Sequence, residues 1–143
     1  MFATPSTWPP FRCSLPALEN HGGLTRTAEQ VNRIIQAVDE LNIGLNFDPA
    51  NFEMHGQNAF ESLCQIKVPI VFTHLKSLRW NQEGEKKYCR LSEGYIDYLP
   101  ILKKLSDIYD GFYALEYEDP TDVFKGTEDD LRTLKNWFEQ IKS

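Results

Sequence analysis

NIGLNFDPANF, residues 42–52, opens as a buried strand and then ends on a charge. Ile43, Leu45 and Phe47 mark every second position, the alternation of a strand with one buried face. Asp48 follows at once, ahead of Pro49, which cannot donate to a sheet ladder. Asp before Pro is common turn chemistry. The carboxylate gains a second meaning only if other strands end the same way.

They do. CSLPALE (13–19) is a short strand-like run ending on Glu19, PIVFTHLK (69–76) a strand ending near His74, and GFYALEYE (111–118) a strand reaching Glu116. Between them lie amphipathic segments. TAEQVNRIIQAVDELN (27–42) predicts a helix with Val31, Ile34, Ile35, Val38 and Leu41 on one face and a Thr27–Gln30 capping box. NAFESLCQIK (58–67) predicts a short helix with Phe60, Leu63 and Ile66 inward. DYLPILKKLSDIY (97–109) predicts a helix capped by Asp97, and TEDDLRTLKNWFEQIK (127–142) one capped by Thr127. Residues 77–96 read as a polar loop, longer than the roughly 12–15 residues usual for unstructured connections. Four alternations of strand and helix imply an α/β fold with a parallel sheet covered by helices.

Composition narrows the class. The chain has 143 residues, 41% of them hydrophobic and 25% charged, enough for one domain with a real core. Its net charge of −6 disfavours nucleic acid as a partner, and no apolar run approaches the roughly 18 residues of a membrane span. Residues 1–12, rich in Pro, Ser and Thr, read as an irregular leader without the pattern of a secretory signal. Cys13, Cys64 and Cys89 form no CxxC pair, which fits a reducing cytoplasm.

The four strand ends sharpen under strand parity. Ala17, Asn46, Phe72 and Ala114 share a face with Glu19, Asp48, His74 and Glu116. Leu18, Leu45, Phe47, Val71, Leu75, Tyr113 and Leu115 fall on the other, greasier face, which should lie under the helices. That asymmetry favours a barrel interior with a site at the C-terminal mouth. Each polar residue alone has an ordinary reading: Asp48 a turn residue, Glu19 a cap, His74 a satisfied core histidine, Glu116 part of a solvated acidic cluster. Together, three carboxylates and an imidazole converging on one point call for a cation. O,O,O,N ligation suits Mn²⁺, Mg²⁺, Co²⁺ or Zn²⁺.

The ordered set LENHGG, NFDPANF, THLKS and YALEYE resembles the xylose isomerase-like TIM-barrel superfamily, in particular its sugar phosphate isomerase/epimerase branch. The resemblance runs from about Cys13 onward, and the ligand spacings of roughly 25–45 residues suit βα units. It implies a parallel (βα)4 half of a TIM barrel corresponding to strands five to eight, over residues 13–143, after the leader. It further implies a divalent metal held by Glu19, Asp48, His74 and Glu116. Glu19 and Glu116 would serve as base and acid, moving a proton beside a carbonyl through a metal-bound cis-enediolate.

Three departures bear on the substrate: Asn51 where several members carry His, Ser77 where HLKD is frequent, and SEG (92–94) for GEG. His21, Asn51, Lys76 and Arg79 are the candidate substrate-binding residues, the last two for a phosphate or carboxylate; His55 has only a structural reading.

Length sets the remaining problem, since a complete barrel takes about 250 residues. A truncated product, a half-barrel that dimerises and an independent open sheet with a vestigial site are all open, the first two being favoured. The functional expectation is a metal-dependent isomerase or epimerase of a sugar or sugar phosphate, active once a second copy or the missing N-terminal half completes the barrel. A non-catalytic interaction or dimerisation unit is the alternative. A hydrolase akin to the superfamily's apurinic-site endonucleases ranks lowest.

Overall fold

A computed structural model describes residues 15–142; residues 1–12 and Cys13 lie outside that range. Four strands form one parallel sheet in the order β1 (Ala17–Glu19), β2 (Gly44–Phe47), β3 (Ile70–Leu75), β6 (Tyr113–Leu115). Helices α1 (Ala28–Val38), α2 (Pro49–Met54), α3 (Ala59–Gln65), α4 (Tyr98–Ile108) and α5 (Val123–Lys142) connect and cover them. This is half of a parallel βα barrel. Leu45, Phe47 and Leu75 project from the sheet into a core with Val31, Ile35, Leu63, Leu102, Leu105 and Leu134 from the helices. Among the described residues, β1 and β6 each have a sheet partner on one side only. None of the described helices is long and apolar enough to cross a membrane.

The sequence periods account for most boundaries. The capping box opening α1 is present in both directions, with Gln30 N donating to Thr27 Oγ1 at 3.2 Å and Thr27 N to Gln30 Oε1 at 3.1 Å. The helix stops earlier than its apolar period suggests, because Asp39 adopts the left-handed conformation that Asp tolerates. Leu41 is consequently 92% exposed and not part of the buried face. Phe60 likewise lies exposed, while Leu63 is buried. Helix α5 begins one turn before Thr127, whose hydroxyl donates to the Val123 carbonyl at 2.8 Å and caps nothing.

The segment 77–96 is not a loop. It forms a hairpin of β4 (Ser77–Trp80) and β5 (Lys86–Cys89), followed by a 3-10 turn at Leu91–Glu93. Asn81 Oδ1 accepts from the amides of Glu83 and Glu85, and Gly84 supplies the positive φ that closes the turn.

One register shift matters for the site. Leu45 pairs with Ile70, but Asn46 pairs with Phe72, so Val71 is an extra residue on β3. Such a bulge turns Val71 onto the face of Gly44 and Phe72, away from the helices where simple alternation puts it. Gly44 permits this: a Cβ there would stand 2.4 Å from Val71 Cγ1 and 2.8 Å from the Pro69 carbonyl oxygen. Gly44→Ala should therefore destabilise the chain by about 1–3 kcal/mol, read as a lower urea midpoint. An unchanged midpoint would mean the bulge relaxes freely.

A second expectation concerns the seam between α5 and the 3-10 turn, where buried Asp130 accepts from Leu91 N at 2.7 Å. Burial pushes the Asp130 carboxyl up to about 6, against the opposing pull of that amide and Arg90. A raised folded-state pKa means its contribution is fully present below pH 4 and lost as pH rises through 6. Asp130→Asn keeps the acceptor without the charge. It should raise stability near pH 7.5 by about 1–3 kcal/mol and bring little below pH 4, as thermal melts across pH would show.

Candidate metal centre

The carboxylate that ends β2 does two things at once. Asp48 Oδ1 accepts from Asn51 N at 3.0 Å and caps α2, with Pro49 in the first turn where it needs no partner. That leaves Oδ2 buried, without a hydrogen bond, and 3.2 Å from Lys76 Nζ. Asn20, also buried, holds the ends of β1 and β2 together. Its amide donates to the Asp48 carbonyl at 2.7 Å and its Oδ1 accepts from Asp48 N at 2.9 Å. Glu19 and Asp48 are thereby fixed side by side.

Parallel pairing brings the other two ends alongside. His74 sits opposite Ala114 in the β3–β6 ladder, and Glu116 N donates to the Leu75 carbonyl at 3.0 Å just beyond it. The result is a single cluster: one donor atom from each of Glu19, Asp48, His74 and Glu116, all within 4.8 Å of one another. His74 Nδ1 lies 3.1 Å from Glu19 Oε1 and 3.4 Å from Glu116 Oε2. Metal bonds of about 2.0–2.3 Å place neighbouring donors about 3 Å apart, so these separations suit one shared ion. The buried Oδ2 of Asp48, aimed into the cluster without a donor of its own, is the kind of atom a cation would satisfy. The residues present fit a divalent ion.

The electrostatics show how the cluster is balanced. Burial pushes the Asp48 carboxyl up to about 6, although Lys76 pulls the other way. Burial is the largest single influence on Glu116 and would raise it, but the Lys76 hydrogen bond at 2.7 Å together with the charges of Lys76, His74 and His21 outweighs it and holds that carboxylate below its usual range. Lys76 is itself buried. Desolvation opposes its charge, and Asp48, Glu116 and Glu118 together overcome that and keep it protonated.

The candidate substrate residues are placed unevenly. Asn51 stands in the cluster, donating from Nδ2 to Glu19 Oε1 at 3.3 Å. His21 is exposed, and its charge when protonated adds to that of Lys76 in keeping Glu116 ionised. Arg79 points away on the hairpin, 3.0 Å from Glu93 Oε2 at the surface. Lys76 is buried under the site and engaged by carboxylates. Three further residues were not singled out by sequence reasoning. Asn20 works through main-chain groups, which leaves no side-chain pattern to detect. Asn46, opposite Phe72, brings Nδ2 within 3.2 Å of His74 Nδ1. Tyr88, on the unrecognised hairpin, lies with its ring 5.5 Å from Lys76 Nζ.

Comparison with known proteins agrees with this geometry. The profile of the family described as xylose isomerase-like TIM barrel matches residues 16–140. An inosose dehydratase of Clostridium perfringens is 30% identical over 112 residues, covering 68% of this chain and 38% of that protein. The structure of a D-tagatose 3-epimerase-like protein superposes with a TM-score of 0.68 at 26% identity, over 88% of this chain and 47% of the other. The IOLI protein, solved with a zinc atom, superposes with a TM-score of 0.64 at 27% identity, over 87% and 48%. The chain thus spans about two fifths of that curated relative and just under half of those solved chains.

Proposed function

The chain belongs to the xylose isomerase-like TIM-barrel family, and on that premise we propose that it is the cation-holding half of an enzyme that moves a proton beside a carbonyl. The substrate class is a sugar, a sugar phosphate or a related polyol ketone. The observation that carries the reading is the convergence of Glu19, Asp48, His74 and Glu116 on one point at the C-terminal edge of the sheet. The dehydratase and epimerase names among the relatives support it, because both reactions pass through loss of a proton next to a carbonyl. A cytoplasmic setting accords with the free thiols Cys64 and Cys89.

When bound, a divalent ion polarises a carbonyl and offsets charge on its oxygen. The chain's own residues do the rest. Glu19 and Glu116 flank His74 and are the two carboxylates that take and return the proton. Asn51 orients Glu19 through its Nδ2 hydrogen bond and offers a donor at the substrate side. Asp48 and His74 hold the ion only. Among the described residues β1 and β6 each leave one edge unpaired, which supports a substrate pocket finished by a complementary half, either a second copy or an N-terminal half-barrel.

The test begins with metal-stripped chain titrated with Mn²⁺, Co²⁺, Zn²⁺ and Mg²⁺ by calorimetry, with light scattering on the same sample. The completed barrel is then incubated in D₂O with ketoses, ketose phosphates and inososes, and deuterium incorporation is followed by NMR. A saturable site together with exchange beside a carbonyl supports the reading. A folded chain without cation affinity rejects it. Cation binding and closed assembly without exchange on any substrate would favour a non-catalytic assembly unit.

A further inference from the structure

We infer that Lys76 is a built-in counter-cation of the metal centre: its ammonium holds the same carboxylate oxygens that take the divalent ion, so the two compete and Lys76 sets how tightly the ion binds. The inference rests on the metal reading above.

The geometry is specific. Glu116 Oε2 lies 2.7 Å from Lys76 Nζ and 3.4 Å from His74 Nδ1, so one oxygen faces both the ammonium and the donor cluster. Asp48 has given Oδ1 to the helix cap, and its remaining Oδ2 lies 3.2 Å from the same ammonium. Glu118, which is not part of the donor set, is the third partner. A lysine ammonium has three donors, and three carboxylates surround this one. Two donors are hydrogen-bonded to Glu116 and Glu118 and the third side faces Asp48 Oδ2 at 3.2 Å, so Lys76 is turned to the centre and not to a substrate phosphate.

Placement argues for a purpose other than packing. The side chain is 2% exposed, its carbonyl is held by the Tyr98 hydroxyl, and Nζ lies over the Tyr88 ring at 5.5 Å. Lys76 shares strand parity with His74 at the end of β3, and so reaches the mouth of the sheet. Without this cation, Glu19, Asp48, Glu116 and Glu118 would stand together with only the imidazoles of His74 and His21, when protonated, to offset them. With it, the metal-free chain can fold around its own site. When an ion enters, two positive charges contend for Asp48 and Glu116, while Glu118 gives the ammonium a carboxylate outside the donor set.

The prediction has opposite signs on two measurements, which a merely structural lysine would not produce. Lys76→Met should melt at least about 4 °C lower than wild type without metal. The same variant should bind Zn²⁺ or Co²⁺ about tenfold more tightly or better. That is the order expected on removing a unit positive charge that shares its carboxylate partners with a divalent ion, even at the dielectric constant of water. Lys76→Arg, which keeps the charge, should stay within about threefold of wild type.

Unchanged or weaker binding by folded Lys76→Met, with wild-type binding intact, would overturn the competition alone. No binding by folded wild-type chain would overturn the metal reading and the competition with it. If Lys76→Met does not fold without metal, ¹⁵N-lysine NMR on the wild-type chain decides. The Lys76 Nζ resonance should shift as one equivalent of Zn²⁺ is added, and a resonance unmoved by bound zinc would overturn the inference.

Discussion

Asp48→Asn should lower divalent-cation affinity at least about a hundredfold while leaving helix α2 capped and the metal-free chain folded. The two oxygens of Asp48 have separate partners, which is why the effects separate. Oδ1 accepts from the Asn51 amide, and an asparagine oxygen can do the same. Oδ2 makes no hydrogen bond and faces Lys76 and the donor cluster, and the amide NH2 that asparagine would place there has no lone pair to offer a cation. The substitution removes both a charge expensive to bury and the attraction to Lys76 that offsets it, so the metal-free stability should change by no more than about 1 kcal/mol. Calorimetric titration and a thermal melt on the same protein check both halves. Asp48→Ala sets the contrast: it should lose the cation and a further ~1 kcal/mol from the missing cap. Unaltered affinity in Asp48→Asn would reduce Asp48 to a capping residue.

In the completed barrel, Glu19→Gln and Glu116→Gln should each slow solvent-deuterium exchange beside the substrate carbonyl by about 10²–10⁴-fold. The double variant should lose little more than the worse single one, since two groups passing one proton act as a unit. The two variants differ in stability. Glu19 is held by His74 at 3.1 Å and Asn51 at 3.3 Å, neither of which needs a full negative charge opposite it. Glu116 carries the 2.7 Å hydrogen bond from buried Lys76, so Glu116→Gln should also lower the metal-free melting temperature while Glu19→Gln should not. Exchange measured at saturating cation separates chemistry from ion loss. Exchange at wild-type rate in either variant would remove that glutamate from proton transfer.

The parallel βα layout and its four strand-end donors were legible in the sequence because they rest on two strong regularities, and the family resemblance implied that the layout is half of a barrel. Helix and strand periods differ plainly in 27–42 and 43–48, and polar side chains at successive strand ends stand out against apolar alternation. What escaped depends on contacts between elements. The bulge at Val71 arises from space left by Gly44 on a neighbouring strand, so no local period reveals it. The hairpin 77–89 carries polar residues on its exposed positions apart from Trp80 and so imitates a loop, although its Asn81–Gly84 turn chemistry was available to be read. Helix α2 hid behind the Asp-Pro pair, which serves a turn and a helix start equally well. Lys76 read as a candidate for a substrate phosphate or carboxylate. Its two-residue offset from His74 was the available sign that it shares the inner face.

The four strands of the sheet run in one direction, with both outer edges unpaired among the described residues, and this direction has a consequence for counting ions. Any strand that extends β1 or β6 in the parallel sense brings its own C-terminal end to the same opening. Two copies closed around a common axis would therefore set a second constellation of Glu19, Asp48, His74 and Glu116 on the opposite wall, and the barrel would be binuclear. A complement of different sequence, lacking those donors, would leave it mononuclear. The ratio of bound ions to closed barrels, two against one, thus distinguishes self-pairing from completion by another half.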